Sequence, residues 1–458
     1  MIRGTLCVLA VCAALRAGAV DATQYDSLQA AVDANPGGVV VVEGAHSLEK
    51  RLRISGAGTT LAGHGTITQQ NPAEPILEIE HAQDVRVETL VFARPALSAA
   101  DENLGRNKAA GILINDARRV TLAGVTVRDA AARDAAVEIR ASDSVTVQGC
   151  TVLNYQCLAV DDRTESPLYG YAFRCIDGTG ILVNESTAVS LLDNRVVEES
   201  WLATRENMEK FRLGQLCDGR QPMRPGTLGE GAVRAGRVNN WHQGSAITVT
   251  GPEKTRQVIV RGNQIRNAAQ GIDLHTDNTI VSGNIVDHGM IGIKLTHGAR
   301  NLIVSDNLLI AIDLWGILLN PGAASHAADA ERAPNPDGGT IIANNTITEF
   351  GRGHEYWNWG GANEEANGSY AIALYDGQLP ENPPLRDVVL SGNVVYDSER
   401  ELVPAGKPRY KFAVYVGSWH GPLEKSPNAP RDIVVRDNIF HPGRAGIASV
   451  DLATLAPK

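Results

Sequence analysis

From Val258 to Asn320 the hydrophobic and polar positions fall into three versions of one phrase. They read VIVRGNQIRNAAQGIDLHTDN from Val258, TIVSGNIVDHGMIGIKLTHGARN from Thr279 and LIVSDNLLIAIDLWGILLN from Leu302. Each has a β-branched run, a Gly-Asn or Asp-Asn turn, a short apolar run and then Gly-Ile-x-Leu. Asn263, Asn284 and Asn307 stand 21 and 23 residues apart, and Ile272, Ile293 and Ile317 stand 21 and 24 apart. A period in the low twenties with short strands and no helical run predicts the stacked coils of a parallel β-helix, since one coil is too thin to bury its own apolar face. The L-x-x-L-x-L-x-x-N frame of leucine-rich repeats is absent. The hairpin turns and shorter antiparallel spacing of a β-sandwich are absent too.

The same register extends in both directions. Ser27–Ala34 predicts a short amphipathic helix, ended by Asn-Pro-Gly-Gly and followed by a strand at Val39–Val42. Such a helix would close the open N-terminal edge of the solenoid. Irregular early coils run through residues 51–55, 59–67, 76–80 and 85–92. From Gly111 the inward aliphatics align as Ile112-Leu113-Ile114-Asn115, Val137-Glu138-Ile139-Arg140, Leu158-Ala159-Val160-Asp161 and Ile181-Leu182-Val183-Asn184. The series continues through groups beginning at Ile247, Ile272, Ile293, Ile317, Ile372, Val414 and Ile447. The second and fourth residue of each group point outward, and equivalent residues on successive coils lie about 4.8 Å apart. The expectation is one all-β domain over residues 23–458, a solenoid of about 10–12 coils. Insertions near 201–242, 321–338, 351–369 and 398–411 fall at the edges of one strand stack, as does Ser418–Arg431, and would wall its outer face.

Composition narrows the picture. Aromatic residues make up only 5 % of the chain while glycine numbers 46, which suits tight coils around a narrow aliphatic interior. A net charge of −10 without a basic run argues against nucleic acid as partner. Met1–Ala22 reads as a secretory signal, with Arg3, an apolar run over Leu6–Leu15, and a small-residue cleavage site at Ala17-Gly18-Ala19 or Val20-Asp21-Ala22. The apolar run is too short to span a bilayer, so no membrane span is expected after its removal. The expected location is secreted or periplasmic, as a monomer or small homo-oligomer. Four cysteines remain, Cys150, Cys157, Cys175 and Cys217, and an even count in an exported chain predicts disulfides in one of three connectivities. They include no C-x-x-C pair, which argues against zinc.

The repeats, the N-terminal helix and the Gly-Asn-x-Ile turns together resemble the right-handed parallel β-helix proteins of the pectate-lyase-like superfamily, over nearly the whole mature chain. That resemblance implies an extracellular polysaccharide lyase, glycoside hydrolase or uronate epimerase, or else a spike or adhesin. It also implies a ligand lying along the outward face of the aligned strands. Subfamily motifs depart from this pattern. Where polygalacturonases carry acids before the strand, this chain has Ala269-Gln270-Gly271, Ile291-Gly292 and Gln156-Cys157. Gly63-His64-Gly65 lies far upstream of where their G-H-G falls, and the D-P-H-D of uronate epimerases is missing. No catalytic residue is therefore carried over from a subfamily.

The outward stripe itself is mostly apolar or small, and its centre is the exception. Asp273 and His275 share one coil, Lys294 and Thr296 the next, then come Asn320 and, one coil later, Tyr375. Asp273 and Lys294 should stand within salt-bridge reach. Elimination on a uronate polysaccharide needs a neutraliser for the substrate carboxylate, a base for the adjacent C–H and an acid for the leaving oxygen. His275 or Lys294 would be the base, Asn320 or calcium the neutraliser and Tyr375 the acid. Hydrolysis needs two carboxyls, and Asp273 would need Glu355, Asp277 or Asp376 as its partner. No second acid stands on a neighbouring coil, which favours elimination. His242, His297, Trp315, Glu355, Trp357 and Trp359 would bind substrate around this centre. Arg140, beside Glu138, would hold a distant part of a long ligand. Oxygen ligands on the same side would suit calcium, although no D-x-D-x-D-G loop commits to it. The competing expectations are a hydrolase in the same groove and a non-catalytic glycan-binding or structural surface β-helix. The Asn residues of the turns are read as structural, able to stack their amides in a ladder, and His288 as an inert turn residue.

Overall fold

The computed structural model describes residues 18–95, 107–132, 134–164, 170–217, 238, 241–322, 336–349, 369–377, 379–397, 408 and 410–457. β-branched and aliphatic residues at alternate positions place one side chain inside and the next outside on every strand, and parallel pairing follows because each coil repeats the direction of the last. One sheet contains 13 strands and a second contains 21. The larger sheet holds two strand stacks. They are fused where Gln264–Leu274, Ile285–Thr296 and Leu308–Asn320 run through the corner without a break. The described residues form a parallel β-helix, with α-helices only at Leu28–Ala34 and Arg205–Lys210 among them.

The inward register is the predicted one over most of its length. Ile112, Val137, Ile181, Ile247, Ile272, Ile293, Ile317, Ile372 and Val414 stack as pairing partners, and each is at most 1 % exposed. The turn asparagines form the expected ladder. The Nδ2 of Asn194, Asn263, Asn284, Asn307, Asn345 and Asn393 each donates to the Oδ1 of the next, ending at Asn438, at 2.9–3.0 Å. The residue before each Asn is often a left-handed Gly, such as Gly262, Gly283 and Gly392 (φ 70, 65 and 66°), which turns the chain and leaves the amide pointing inward.

The helix Leu28–Ala34 begins at Ser27, whose Oγ accepts from the Ala30 N–H at 3.1 Å, and buries Leu28, Ala31 and Val32 against the first coils. Its Gln29 amide accepts from the Arg53 N–H at 2.8 Å and donates to the Arg53 carbonyl at 3.0 Å. One side chain thus satisfies an exposed strand edge as a neighbouring strand would. Ala19–Asp21, assigned above to the signal segment, pairs in parallel with Val39–Val41. Residues 1–17 lie outside the described residues.

Three expectations need correction. Leu158–Asp161 is not a rung of the solenoid. Cys157–Asp162 pairs antiparallel with Ala172–Asp177 in a projecting hairpin, and Val137–Arg140 pairs directly with the strand at Ile181. Alternation fixes the faces of a strand but not its partner. At the last coil Val414 pairs with Ala448 rather than Ile447, which is 45 % exposed. A slip of one residue exchanges the two faces. The disulfide expectation also fails, since no disulfide joins the four cysteines. Cys150 sits in the core at the head of the Asn ladder, its N–H donated to Asn194 Oδ1 at 2.9 Å. Cys157 lies opposite Asp177 and Cys175 opposite Ala159, so the hairpin places them out of step.

Candidate active site on the outward sheet face

Three outward columns cross the face near its middle. One runs Thr248, Asp273, Lys294, Leu318, Ala373, Tyr415, and a second runs Gln270, Ile291, Trp315, Tyr370, Phe412. The third carries Thr250, then His275 beside Thr296, then Asn320, and ends near Tyr375 and Gly417. The columns exist because pairing partners on adjacent coils share an orientation, so residues about twenty apart in sequence become side-chain neighbours.

Asp273 is the hinge of the polar part. Its Oδ2 accepts from Lys294 Nζ at 3.2 Å, and its Oδ1 lies 3.0 Å from His275 Nε2. The His275 contact is close enough for an ion pair but off the line of a good hydrogen bond. The other ring nitrogen, Nδ1, lies 3.2 Å from the Thr250 hydroxyl. His297, whose backbone is left-handed (φ 57°), meets the His275 ring edge to face with centroids 4.5 Å apart. Burial alone would raise the Asp273 carboxyl, but His275 and Lys294, with a smaller contribution from His297, outweigh it and hold the group well below the usual carboxylate range. Asp273 is therefore an anion at any working pH. Lys294 and His275 each keep 17 % of their side chains open to solvent.

Beyond Lys294 the face turns aromatic. Tyr370 stacks on Tyr415 at 3.9 Å, and Tyr375 contacts Tyr415, Trp315 and Trp419 with centroids 5.4, 6.0 and 5.0 Å away. Burial pushes the Tyr370 and Tyr375 hydroxyls well above their ordinary value, so both remain protonated. Trp419 donates its indole N–H to Asn320 Oδ1 at 2.8 Å. Sequence reasoning missed Trp419 and Tyr415, although Tyr415 holds the second, outward place in its four-residue group.

The remaining candidates are spread out. His242 is only 2 % exposed, packed behind the hairpin with Nε2 3.2 Å from Gln156 Oε1, and burial lowers it to about 3. It stands behind the wall rather than on it. Arg140 pairs with Glu138 on a coil three strands from His275, roughly 14 Å away. Tyr375 is likewise three strands beyond His275, too far to serve the same bond. Asp277 is held bidentately by Arg300 at 2.9 and 2.5 Å, and Asp376 accepts from the Trp419 N–H and from Ser426 Oγ. Two of the three proposed carboxyl partners of Asp273 are thus turned to other work. Glu355, Trp357 and Trp359 lie outside the described residues.

The walls have their own logic. The buried Glu198 accepts from the N–H groups of Gln156, Ser200 and Trp201 at 2.8–2.9 Å, tying the hairpin base to the following segment. Arg163 donates to Asp161 at 2.7 Å and lies over the Phe173 ring. On the fused corner, the strand Leu308–Asn320 carries one extra residue opposite Ile285–Thr296, a bulge around Asp313. Its signal is legible, since Asn307 to Ile317 is one residue longer than Asn284 to Ile293. Among the described residues no group of three His, Cys, Asp or Glu is placed to hold a metal ion. Asp273 Oδ2 accepts from Lys294 Nζ, and Oδ1 faces His275 Nε2.

No protein-family model matches the chain, and no curated protein matches it. Solved structures do. PfbA, a surface adhesin of Streptococcus pneumoniae, aligns at 13 % identity and TM-score 0.55, covering 94 % of both chains. This chain has the right-handed parallel β-helix fold. The same β-helix is found in a hyperthermoactive exopolygalacturonase from Thermotoga maritima, at 10 % identity and TM-score 0.52 over 91 % of each chain. It also matches the catalytic unit of a thermostable GH87 alpha-1,3-glucanase from Streptomyces thermodiastaticus, at 10 % identity and TM-score 0.53, covering 96 % of this chain and 71 % of that one. No helix among the described residues of the β-helix is long and apolar enough to cross a membrane.

Proposed function

We propose that this β-helix is an exported carbohydrate-active enzyme that cleaves a uronate-containing polysaccharide by β-elimination at the Asp273–His275–Lys294 cluster. The observation that carries the reading is Asp273, held 3.2 Å from Lys294 and 3.0 Å from His275 in the middle of the outward face. The exopolygalacturonase and the glucanase of the same fold support glycan action in general.

Asp273 holds Lys294 Nζ in place and orients His275 with Nε2–H toward the carboxylate, leaving the Nδ1 lone pair on the Thr250 side. The Lys294 ammonium neutralises the substrate carboxylate and stabilises the negative charge that develops beside it. Once the sugar displaces the Thr250 hydroxyl, His275 Nδ1 takes the proton from the carbon next to that carboxylate. The C–H electron pair becomes the new carbon–carbon double bond, and the neighbouring C–O bond breaks with its pair on the leaving oxygen. A solvent water protonates that oxygen, and the hydroxide left behind takes the abstracted proton from His275. Hydrolysis is less well supported because Asp277 and Asp376 are committed to Arg300 and to the 418–426 segment.

The test follows the ultraviolet absorbance of unsaturated uronates on polygalacturonate and alginate, with and without calcium, for wild type, His275→Ala and Lys294→Ala. A rise in wild type that either substitution abolishes is expected. New reducing ends without that absorbance would replace elimination by hydrolysis. Silence in both assays would leave a binding or structural β-helix.

A further inference from the structure

We infer that Trp419 is the stacking plate of a glycan subsite distinct from the charged cluster, and that the chain therefore binds an extended oligosaccharide rather than one or two sugar units. The inference rests on the glycan reading above.

Trp419 is 42 % exposed, whereas the other described aromatic residues on this face are buried or half-buried. Yet it is held in one orientation. Tyr375 stacks beneath it with rings 25° apart and 5.0 Å between centroids. The indole N–H is tied to Asn320 at 2.8 Å, and the backbone N–H to Asp376 at 2.8 Å. Asp376 is itself buried and accepts from Ser426 Oγ at 2.5 Å, which braces the segment from behind. The polar edge of the ring is satisfied, one face is covered, and the free face is a flat apolar surface fixed in place. A large ring left open in that way gains nothing from water. It suits a ligand with a flat, weakly apolar face and polar edges, which is the shape of a pyranose ring.

Its position sets the length of the ligand. Lys294, Leu318, Ala373 and Tyr415 are successive partners in one column, and Trp419 follows the strand that carries Tyr415. From the Lys294 strand to the Tyr415 strand is three coil spacings, roughly 14 Å. Between them the floor is Leu318 and Ala373, both buried, with Trp315 and Tyr375 beside them and no described charge in the column. A ligand that touches both ends must lie along the helix axis and span several sugar units. The charged end reads a carboxylate, and the Trp419 end reads a ring face whatever its charge.

The test measures binding, not turnover. Calorimetric titration of defined hexasaccharides and disaccharides from polygalacturonate and from alginate is carried out with wild type, Trp419→Ala and Trp419→Phe. Wild type should bind a hexasaccharide. Trp419→Ala should lose at least about tenfold in affinity for it, the loss expected from one stacking contact, while Trp419→Phe retains most of the affinity. Disaccharide binding should be unchanged by either variant. Melting temperatures of both variants report whether the segment still folds, and Trp419→Phe, which keeps the stack on Tyr375, guards against collapse. A hexasaccharide affinity unchanged in Trp419→Ala would overturn the subsite, as would wild type binding none of these sugars. A tenfold loss without any turnover would leave the subsite standing and remove the lyase reading instead.

Discussion

Asp273 and Lys294 are register partners on adjacent coils, joined at 3.2 Å, and this pair is the centre of the charged stretch in the middle of the outward face. Its carboxylate is buried while its partners are partly open, so removing one charge leaves another in a poor environment. Lys294→Met should therefore cost on the order of 3 kcal/mol, whereas the double variant Asp273→Leu/Lys294→Met should recover part of it. Urea titrations of the three proteins check both statements. Both variants should be without activity, since the pair is placed in the reaction itself.

Protonation of Asp273 gives the pair a pH signature. Its folded value lies below the ordinary carboxylate value near 4, so its contribution is complete above that value and is lost as pH falls toward the folded one. The stability gap between wild type and Asp273→Asn should hold from neutral pH down to about 4 and narrow below it. Thermal melts at stepped pH measure the gap.

His242 acts at a higher pH. Burial, with a smaller push from His288, lowers it to about 3, while an unfolded His titrates near 6.5. Between those values the unfolded chain binds a proton that the folded chain refuses, so stability falls as pH drops through that window. His242→Gln removes this contribution. Its urea midpoint should change less between pH 7 and pH 5 than that of wild type.

Asn284 is the middle of the buried ladder. It donates from Nδ2 to Asn307 Oδ1 and to the Val260 carbonyl, and it accepts from Asn263 through both N–H groups. Asn284→Ala strands the Asn263 donors and the Val260 carbonyl in the interior, at a cost of about 2–4 kcal/mol. Calorimetric melting should show the loss. At the head of the ladder, Cys150→Asn should be neutral or stabilising by about 1 kcal/mol, because the new amide can donate to Asn194 Oδ1 and to the Leu122 carbonyl that Cys150 Sγ now faces.

The sequence by itself determined whatever repeats. A coil contacts only its neighbours, at one fixed translation, so the inward aliphatics, the Asn ladder and the placing of Asp273, His275 and Lys294 on one face all appear as a period in the chain. Even the bulge at Asp313 is visible as one residue too many. Contacts without a period had no such trace. Leu158–Asp161 alternates like a rung, and only its antiparallel partner Ala172–Asp177 makes it a hairpin. His242 has the spacing of a wall residue, and the hairpin packed against it decides that it is buried. Asp376 and Asp277 were equal candidates as carboxyl partners until Ser426 and Arg300 claimed them. Trp419 stands two residues beyond a strand end, where alternation says nothing, and its orientation comes from Asn320, which is 99 residues away in sequence. Tertiary structure decided these because insertions meet the solenoid once, through side chains that no neighbouring coil repeats.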